Sequence, residues 1–348
     1  GESGFLPRAI QALFGLAESP WRLQGPGAIL LVHAYSMYVY FYLFTRAGLA
    51  RLDGALLEAA AGLGAGRTRS LFRVTLPILR PALIGAGLLT FMTALASFSA
   101  PYLFGGGFRV MTTQIVASKL NGELAVAQVE TILLAALALL GLALFRWAER
   151  ASILNSSGVR GVAPARRRPP QRWVRVAMAL FAGGLALFLL LPHAVLLLIS
   201  FVPPFTWTAE AFPPVLSLAN YRGLLSAERL RPVVNSLWMA TAATLGALAL
   251  GFLAARFATR RRGFLSRALE GLIALPWAIP GTVFAMALAT TFSVSQPLAL
   301  RFVLIGTPWL LPLAYLVRNL PVTGRAALAG LRQLDPALEE AAASLGAG

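Results

Sequence analysis

The sequence predicts an all-α integral membrane protein with about seven transmembrane helices, and three observations carry that expectation. The 348 residues are 58% apolar and only 12% charged, about half the charged share of an ordinary soluble domain, and the mean hydropathy is +0.73. Seven stretches qualify as bilayer spans, each of which needs about 20 mostly apolar residues as a helix. Charges stand at the ends of these stretches, as insertion requires, because a charge at the centre of a spanning helix costs about 2.5 to 3.5 kcal/mol. Helices are the expected form, since lipid offers backbone groups no hydrogen-bonding partner and a helix satisfies them internally.

The first stretch lies between Arg22 and Arg46 and includes GAILLVHAYSMYVYFYLF. The second lies between Arg80 and Arg109, with Pro77 and Pro81 expected to set where its helix begins. The third runs from about Ala125 to Phe145, with Glu130 near its start. The fourth follows Arg175 and is uncharged as far as Glu210, and the fifth lies between Arg231 and Arg256. The sixth lies between Glu270 and Arg301, and the seventh between Arg301 and Arg318. A soluble protein could bury an occasional such helix, but hardly seven.

The distribution of basic residues orients the spans. If the loop at 46–80 is cytoplasmic, so are 146–175, 256–267 and the chain from 318 onward, and these hold 22 of the 30 Lys and Arg residues. The other side holds 8, so the excess of basic residues in inner loops selects this orientation. The net charge of +17 is therefore mostly a topology signal and calls for no nucleic-acid partner, which would need a basic stripe on an otherwise polar surface. Residues 150–173, polar and rich in Arg and Pro, read as a cytoplasmic linker, which would leave the sequon at Asn155 unused. The absence of Cys excludes disulfides, thiolate metal sites and a cysteine nucleophile. The chain does not begin with Met and its first 20 residues lack the pattern of a signal peptide, so it is expected to be an internal portion of a longer protein.

One internal repeat stands out. Residues 51–66 read RLDGALLEAAAGLGAG and residues 333–348 read QLDPALEEAAASLGAG, identical at 12 of 16 positions at an offset of 282. Asp53 and Asp335 suit helix N-caps, and Pro336 suits a first helical position. Glu58, Glu339 and Glu340 follow on a short Ala-rich helix, and Gly64 and Gly346 permit a left-handed stop. A helix of two or three turns is not stable alone in water and needs a packing partner. Its Ala faces allow close approach, and the repeated Glu supplies a charge for specific docking.

The run Glu58, Ala59, Ala60, Gly64, Val74, Thr75, Leu76, Pro77 resembles the cytoplasmic EAA loop of the membrane subunits of bacterial ATP-binding cassette (ABC) importers. Residues 98–115 (FSAPYLFGGGFRVMTTQI), Asn235 to Leu237 and Leu275 to Gly281 look most like the fused two-half permeases of the ferric iron type. The resemblance implies two pseudo-repeated type I ABC permease halves. The first would be 1–149, with three spans and its loop at 52–77; 150–173 would be the linker; and 174–348 would hold four spans and the start of the second loop at 334–348. Family members carry about six spans per half, so the chain would hold the last three of one half and the first four of the other.

The resemblance further implies that each loop forms a coupling helix seated on a separate ATPase subunit, through Glu58, Ala59, Ala60 and Gly64 in one copy and Glu340, Ala341, Ala342 and Gly346 in the other. The implied partners are two ATP-binding cassette ATPase subunits, a periplasmic or lipid-anchored substrate-binding protein, and the lipid bilayer of the bacterial inner membrane. No cofactor, metal or catalytic residue is implied, and ATP hydrolysis would belong to the partner. Ferric iron is the implied cargo, with thiamine, polyamine, sulfate or phosphonate as alternatives in the same class, and an ion-gradient-driven transporter as the alternative outside it.

The residues speak against other chemistries. There is no HExxH, and His33 and His193 are the only histidines, best read as structural. GLGAGRT at 62–68 fails as a phosphate-binding loop because Arg67 replaces the Lys and a helix precedes it where a strand is needed. Gradient-driven transporters often place ion-coupling acids inside spans, whereas Glu130 and Glu270 stand near helix starts. Ferric iron prefers hard oxygen ligands. With no carboxylates lining the spans, selectivity for iron would reside in the external binding protein.

Overall fold

The computed structural model describes residues 5–18, 23–50, 52–154, 171–207, 212–260, 263–333, 337 and 344–346. Among them there is no strand. The helices are α1 (Phe5–Phe14), α2 (Pro26–Ala50), α3 (Gly54–Gly62), α4 (Arg67–Ser70), α5 (Leu76–Leu95), α6 (Ser99–Phe104) and α7 (Met111–Leu120). They continue as α8 (Leu124–Leu154), α9 (Arg172–Ser200), α10 (Ala219–Leu224), α11 (Ala227–Arg260), α12 (Phe264–Ala278), α13 (Gly281–Thr291) and α14 (Leu310–Gln333).

Five of these segments are long and apolar enough to cross a membrane: α2, the continuous run Arg67–Leu95, α8, α9 and α11. The bent pair α12 and α13 makes a sixth if it is one broken span. The expected all-helical membrane architecture is therefore present, and among the described residues five or six of the seven expected stretches form helices long and apolar enough to cross a bilayer. The sixth stretch is broken because Ile279 is extended (φ −98°, ψ 125°) ahead of Pro280, and the two helices meet at 106°. The seventh stretch fails because residues 301–309 form turns, and α14, which starts only at Leu310, carries Arg318.

The second stretch also begins earlier than expected. Its helix starts at Arg67 and passes through a π turn, Leu71–Thr75, before α5. Pro77 and Pro81 each remove a helical donor. The widened turn just before them pairs the Leu76 amide with the Leu71 carbonyl, which lets the helix run through.

Two compact units are present. The first comprises residues 1–113 and 141–230. Here α2 packs along α5: a Cβ on Gly48 would come within 2.6 Å of Leu79 Cδ2, and one on Gly85 within 3.0 Å of Phe44 Cε1. Phe91 and Phe145 stack 5.5 Å apart between α5 and the end of α8, with the Phe91 ring filling the space above Gly141. The Tyr35 hydroxyl of α2 donates to the Leu189 carbonyl of α9. Otherwise α9 has no buried residue and presents side chains such as Leu180 and Phe181 outward, as a helix facing lipid does.

The second unit comprises residues 114–140 and 231–348. Along α11, Ala243, Ala247, Gly251 and Ala255 are buried at four-residue spacing and so share one face. Lipid provides no hydrophobic drive between helices, so such small residues act by letting backbones approach until dispersion and hydrogen bonds hold them. α14 takes that approach: Thr323 Oγ1 donates to the Ala247 carbonyl at 2.9 Å, and a Cβ on Gly251 would lie 2.9 Å from the Gly324 amide nitrogen. α12 closes on Gly324 through Ile273.

Candidate functional site

The candidate site is the first copy of the repeat, held between two long helices of the first unit. Leu52, 2% exposed, anchors the chain as it leaves α2, and its amide pairs with the Leu49 carbonyl at 3.2 Å. Asp53 then takes an extended conformation (φ −77°, ψ 123°), and its carboxylate accepts from the Ala55 amide at 3.0 Å. This is the expected N-cap. The helix stops as the sequence foretold: Gly64 is left-handed at φ 76°, the Ala65 amide reaches the Ala60 carbonyl at 2.9 Å, and the Gly64 amide reaches the Ala61 carbonyl at 3.0 Å. These two crossed bonds form a Schellman stop that satisfies carbonyls the helix leaves open.

Nine residues make a helix too short to persist alone, and α3 is braced by contacts with α4 and the π turn. No residue of α3 is buried. Glu58 and Ala59 are exposed and Ala60 is half-buried. Around them, Leu56, Leu63, Leu71 and Phe72 are exposed, Leu63 to 88%. The surface thus offers one carboxylate among large apolar side chains, with exposed Arg67, Arg69 and Arg73 on the following segment. Such a mixture suits a protein partner.

Glu58, Ala59, Ala60 and Gly64 are therefore brought together on one capped helix and its stop. Of the second copy, Asp335, Pro336, Glu339, Glu340, Ala341 and Ala342 lie outside the described residues. Gly346 is described and left-handed at φ 82°, like Gly64. Sequence reasoning did not identify Leu52 as an anchor, nor the π turn, for which the closely spaced Pro77 and Pro81 were the available signal.

The stretch 98–115, which resembles the ferric iron permeases, folds into α6, a glycine turn and the start of α7. Phe98 and Tyr102 stack at 5.2 Å, and a Cβ on Gly105 would collide with the Pro101 carbonyl oxygen at 2.3 Å. Among the described residues no three His, Asp or Glu side chains are grouped to hold a metal ion. Among the described residues, Glu130 Oε2 and His33 Nε2 are buried and meet no hydrogen-bond partner.

Removing the cap tests the local geometry. Asp53→Ala is expected to cost about 0.5 to 2 kcal/mol within α3 alone. Hydrogen exchange at the amides of α3 should speed up while α5 keeps its protection. Unchanged exchange in α3 would show that the bracing, not the cap, holds the helix.

Residues 7–153, which contain this loop and the helices on either side of it, match the family described as binding-protein-dependent transport system inner membrane component. Beyond that segment, the chain is similar over its whole length to ABC transporter permeases. The probable ABC transporter permease protein y4fN of Sinorhizobium fredii is 33% identical over 349 residues, covering 100% of this chain and 61% of that protein. The ferric transport system permease protein FbpB of Actinobacillus pleuropneumoniae is 28% identical over 353 residues, covering 99% of this chain and 49% of that protein. The spermidine/putrescine transport system permease protein PotB of Escherichia coli is 26% identical over 103 residues, 29% of this chain and 38% of that protein. The chain thus spans 49% to 61% of the length of the first two relatives. No solved structure matches it significantly.

Proposed function

We propose that this chain is part of the membrane-spanning subunit of an ATP-driven importer of the bacterial inner membrane, with two permease halves, 1–149 and 174–348, fused through a linker at 150–173. One observation carries the reading: α3 is a helix capped at both ends with no buried residue, and it sets exposed Glu58 among exposed Leu56, Leu63 and Phe72. A helix that short is given two defined ends when its position matters to something outside it.

The chemistry follows from that surface. Two ATPase subunits would each receive one acidic helix, through Glu58 with Ala59 and Ala60 and through Glu340 with Ala341 and Ala342; Gly64 turns the chain toward the next span, and Gly346 would end the second helix in the same way. The apolar side chains supply docking area, and the carboxylate fixes register by a charge-assisted hydrogen bond. Closure of the ATPases on ATP displaces both helices. Because α3 packs on α4 and the π turn, which belong to the continuous helical run Arg67–Leu95, that displacement would reach the spans as a lever motion. Rocking of the helices then opens the passage alternately to each side. The energy comes from the partners, and this chain is not itself an enzyme.

For the cargo, ferric iron is favoured over polyamines because the similarity to the ferric permease runs through 99% of the chain, against 29% for the spermidine/putrescine one. A periplasmic or lipid-anchored binding protein would deliver the iron and set its selectivity.

The test is uptake into proteoliposomes that hold the full-length permease and its ATPase subunits. Ferric iron offered on the binding protein should enter only with ATP. Uptake of spermidine instead would replace the cargo, and uptake driven by an ion gradient without ATP would overturn the importer reading.

A further inference from the structure

The basic residues of α14 are Arg318, Arg325 and Arg332, spaced seven apart. Seven residues is nearly two turns, so the three lie along one stripe that drifts by about 20° per step. Each of them meets α12 or the residue that ends it. Arg332 Nη2 stands 3.0 Å from Glu270 Oε1. The Arg325 guanidinium lies 5.5 Å from the centroid of the Trp277 ring. Arg318 Nη1 donates to the Ile279 carbonyl at 2.9 Å. Glu270 and Trp277 are themselves seven apart, so the two antiparallel helices are laced from the first turns of α12 to the break that follows it.

The innermost rung has the strongest physical reason to exist. At the break, Pro280 offers no amide, and the extended Ile279 turns its carbonyl out of the helix. In an apolar setting an unpaired carbonyl and an unpaired guanidinium are both costly, and pairing them relieves both. The guanidinium also packs on the break itself: a Cβ on Gly281 would lie 3.8 Å from its Cζ. The outer rung, exposed on both sides, contributes little alone and acts as a register mark.

The stripe leads somewhere. Fourteen residues separate Arg318 from Arg332, about 21 Å along the axis. At Gln333 the chain passes directly into the second copy of the acidic repeat.

We propose that the arginine row makes α12 and α14 one lever that links the second acidic hook to the α12–α13 break, with Arg318 as the positioning residue that grips the break. This rests on the importer reading above. When the second copy of the repeat moves, α14 carries the Ile279 carbonyl with it through Arg318, and the 106° bend is reoriented.

The experiment is the ratio of ferric iron taken up to ATP hydrolysed, measured in proteoliposomes with the full-length permease, its ATPase subunits and iron-loaded binding protein. Arg318→Ala is expected to keep hydrolysis and to lower the ratio about tenfold, the loss of one hydrogen bond from a charged donor. Arg318→Lys, which keeps a donor and a charge, should recover much of the ratio. Arg332→Glu should lower it several-fold, and adding Glu270→Arg to that variant should restore it. A merely structural role would lower hydrolysis and uptake together and leave the ratio unchanged, which overturns the proposal. An unchanged ratio in Arg318→Ala, or a charge swap that rescues nothing, does the same. A wild-type permease that shows no ATP-driven uptake removes the importer reading and this inference with it, whereas a working wild type with an insensitive Arg318 removes the inference alone.

Discussion

Replacing Glu58 and Glu340 together by Ala in the full-length protein should reduce ATP-driven uptake by tenfold or more while leaving the protein inserted and extractable. Glu58 is exposed on a helix with no buried residue, so its loss removes nothing from the protein's own packing. On the docking proposal, what is lost is a charge-assisted hydrogen bond that each carboxylate accepts from the partner, worth about 1.5 to 3 kcal/mol at each site. Two sites acting on one complex make the double change more severe than either alone. The measurements are capture of the ATPase subunits by the detergent-solubilised permease and uptake into proteoliposomes. Arg in place of Ala at both positions should be worse, since like charges now face each other if the partner offers a base. Capture and uptake both at wild-type level in the double Ala variant would remove the docking role of the repeat.

Gly251→Leu should be the most destabilising single change in the second unit. The Cβ it adds would lie 2.9 Å from the Gly324 amide nitrogen and 3.1 Å from the Thr323 carbonyl carbon, backbone that cannot swing away, and 2.9 Å from Thr323 Oγ1. α11 and α14 must then separate, the Thr323 bond to the Ala247 carbonyl is stretched, and the small-residue face of α11 loses its contact. Overpacking of this kind costs about 1 to 3 kcal/mol or more. Thermal unfolding in detergent should show a lowered midpoint and a tendency to aggregate. Gly246→Ala is the matched control: its Cβ would meet only the end of the Leu316 side chain, which can rotate. If Gly251→Leu melts with the wild type, the close crossing of α11 and α14 is not what holds the unit.

The parts of the site legible in the sequence were those set by local chemistry. Asp53 caps because a short acidic side chain beside an Ala-rich run has a free amide to accept from, and Gly64 ends the helix because a left-handed residue is cheapest without a Cβ. These interactions reach five residues or fewer along the chain, so pattern reveals them. Exposure is different. That Leu63 and Phe72 stand outward follows from where α4 and the π turn brace α3, and no periodicity announces it.

The long helices follow the same division. A run such as 172–200 is apolar enough that lipid alone dictates a helix, whatever its neighbours. The breaks were harder. Arg318 reads in the sequence as the charge that ends an apolar stretch, whereas in the fold it enters a helix and satisfies the Ile279 carbonyl 39 residues away. Pro77 and Pro81 read as a helix start, whereas a π turn carries the helix through them.

Composition and charge placement were therefore sufficient to settle that the chain is helical and belongs in a bilayer, and cap and glycine placement where α3 begins and ends. These depend on each residue's affinity for lipid or on bonds within a turn or two. Only the tertiary structure decided which helices are broken, which glycines are crossings and which arginines are partners. Those outcomes depend on groups far apart in the chain that meet only after the helices have formed and packed.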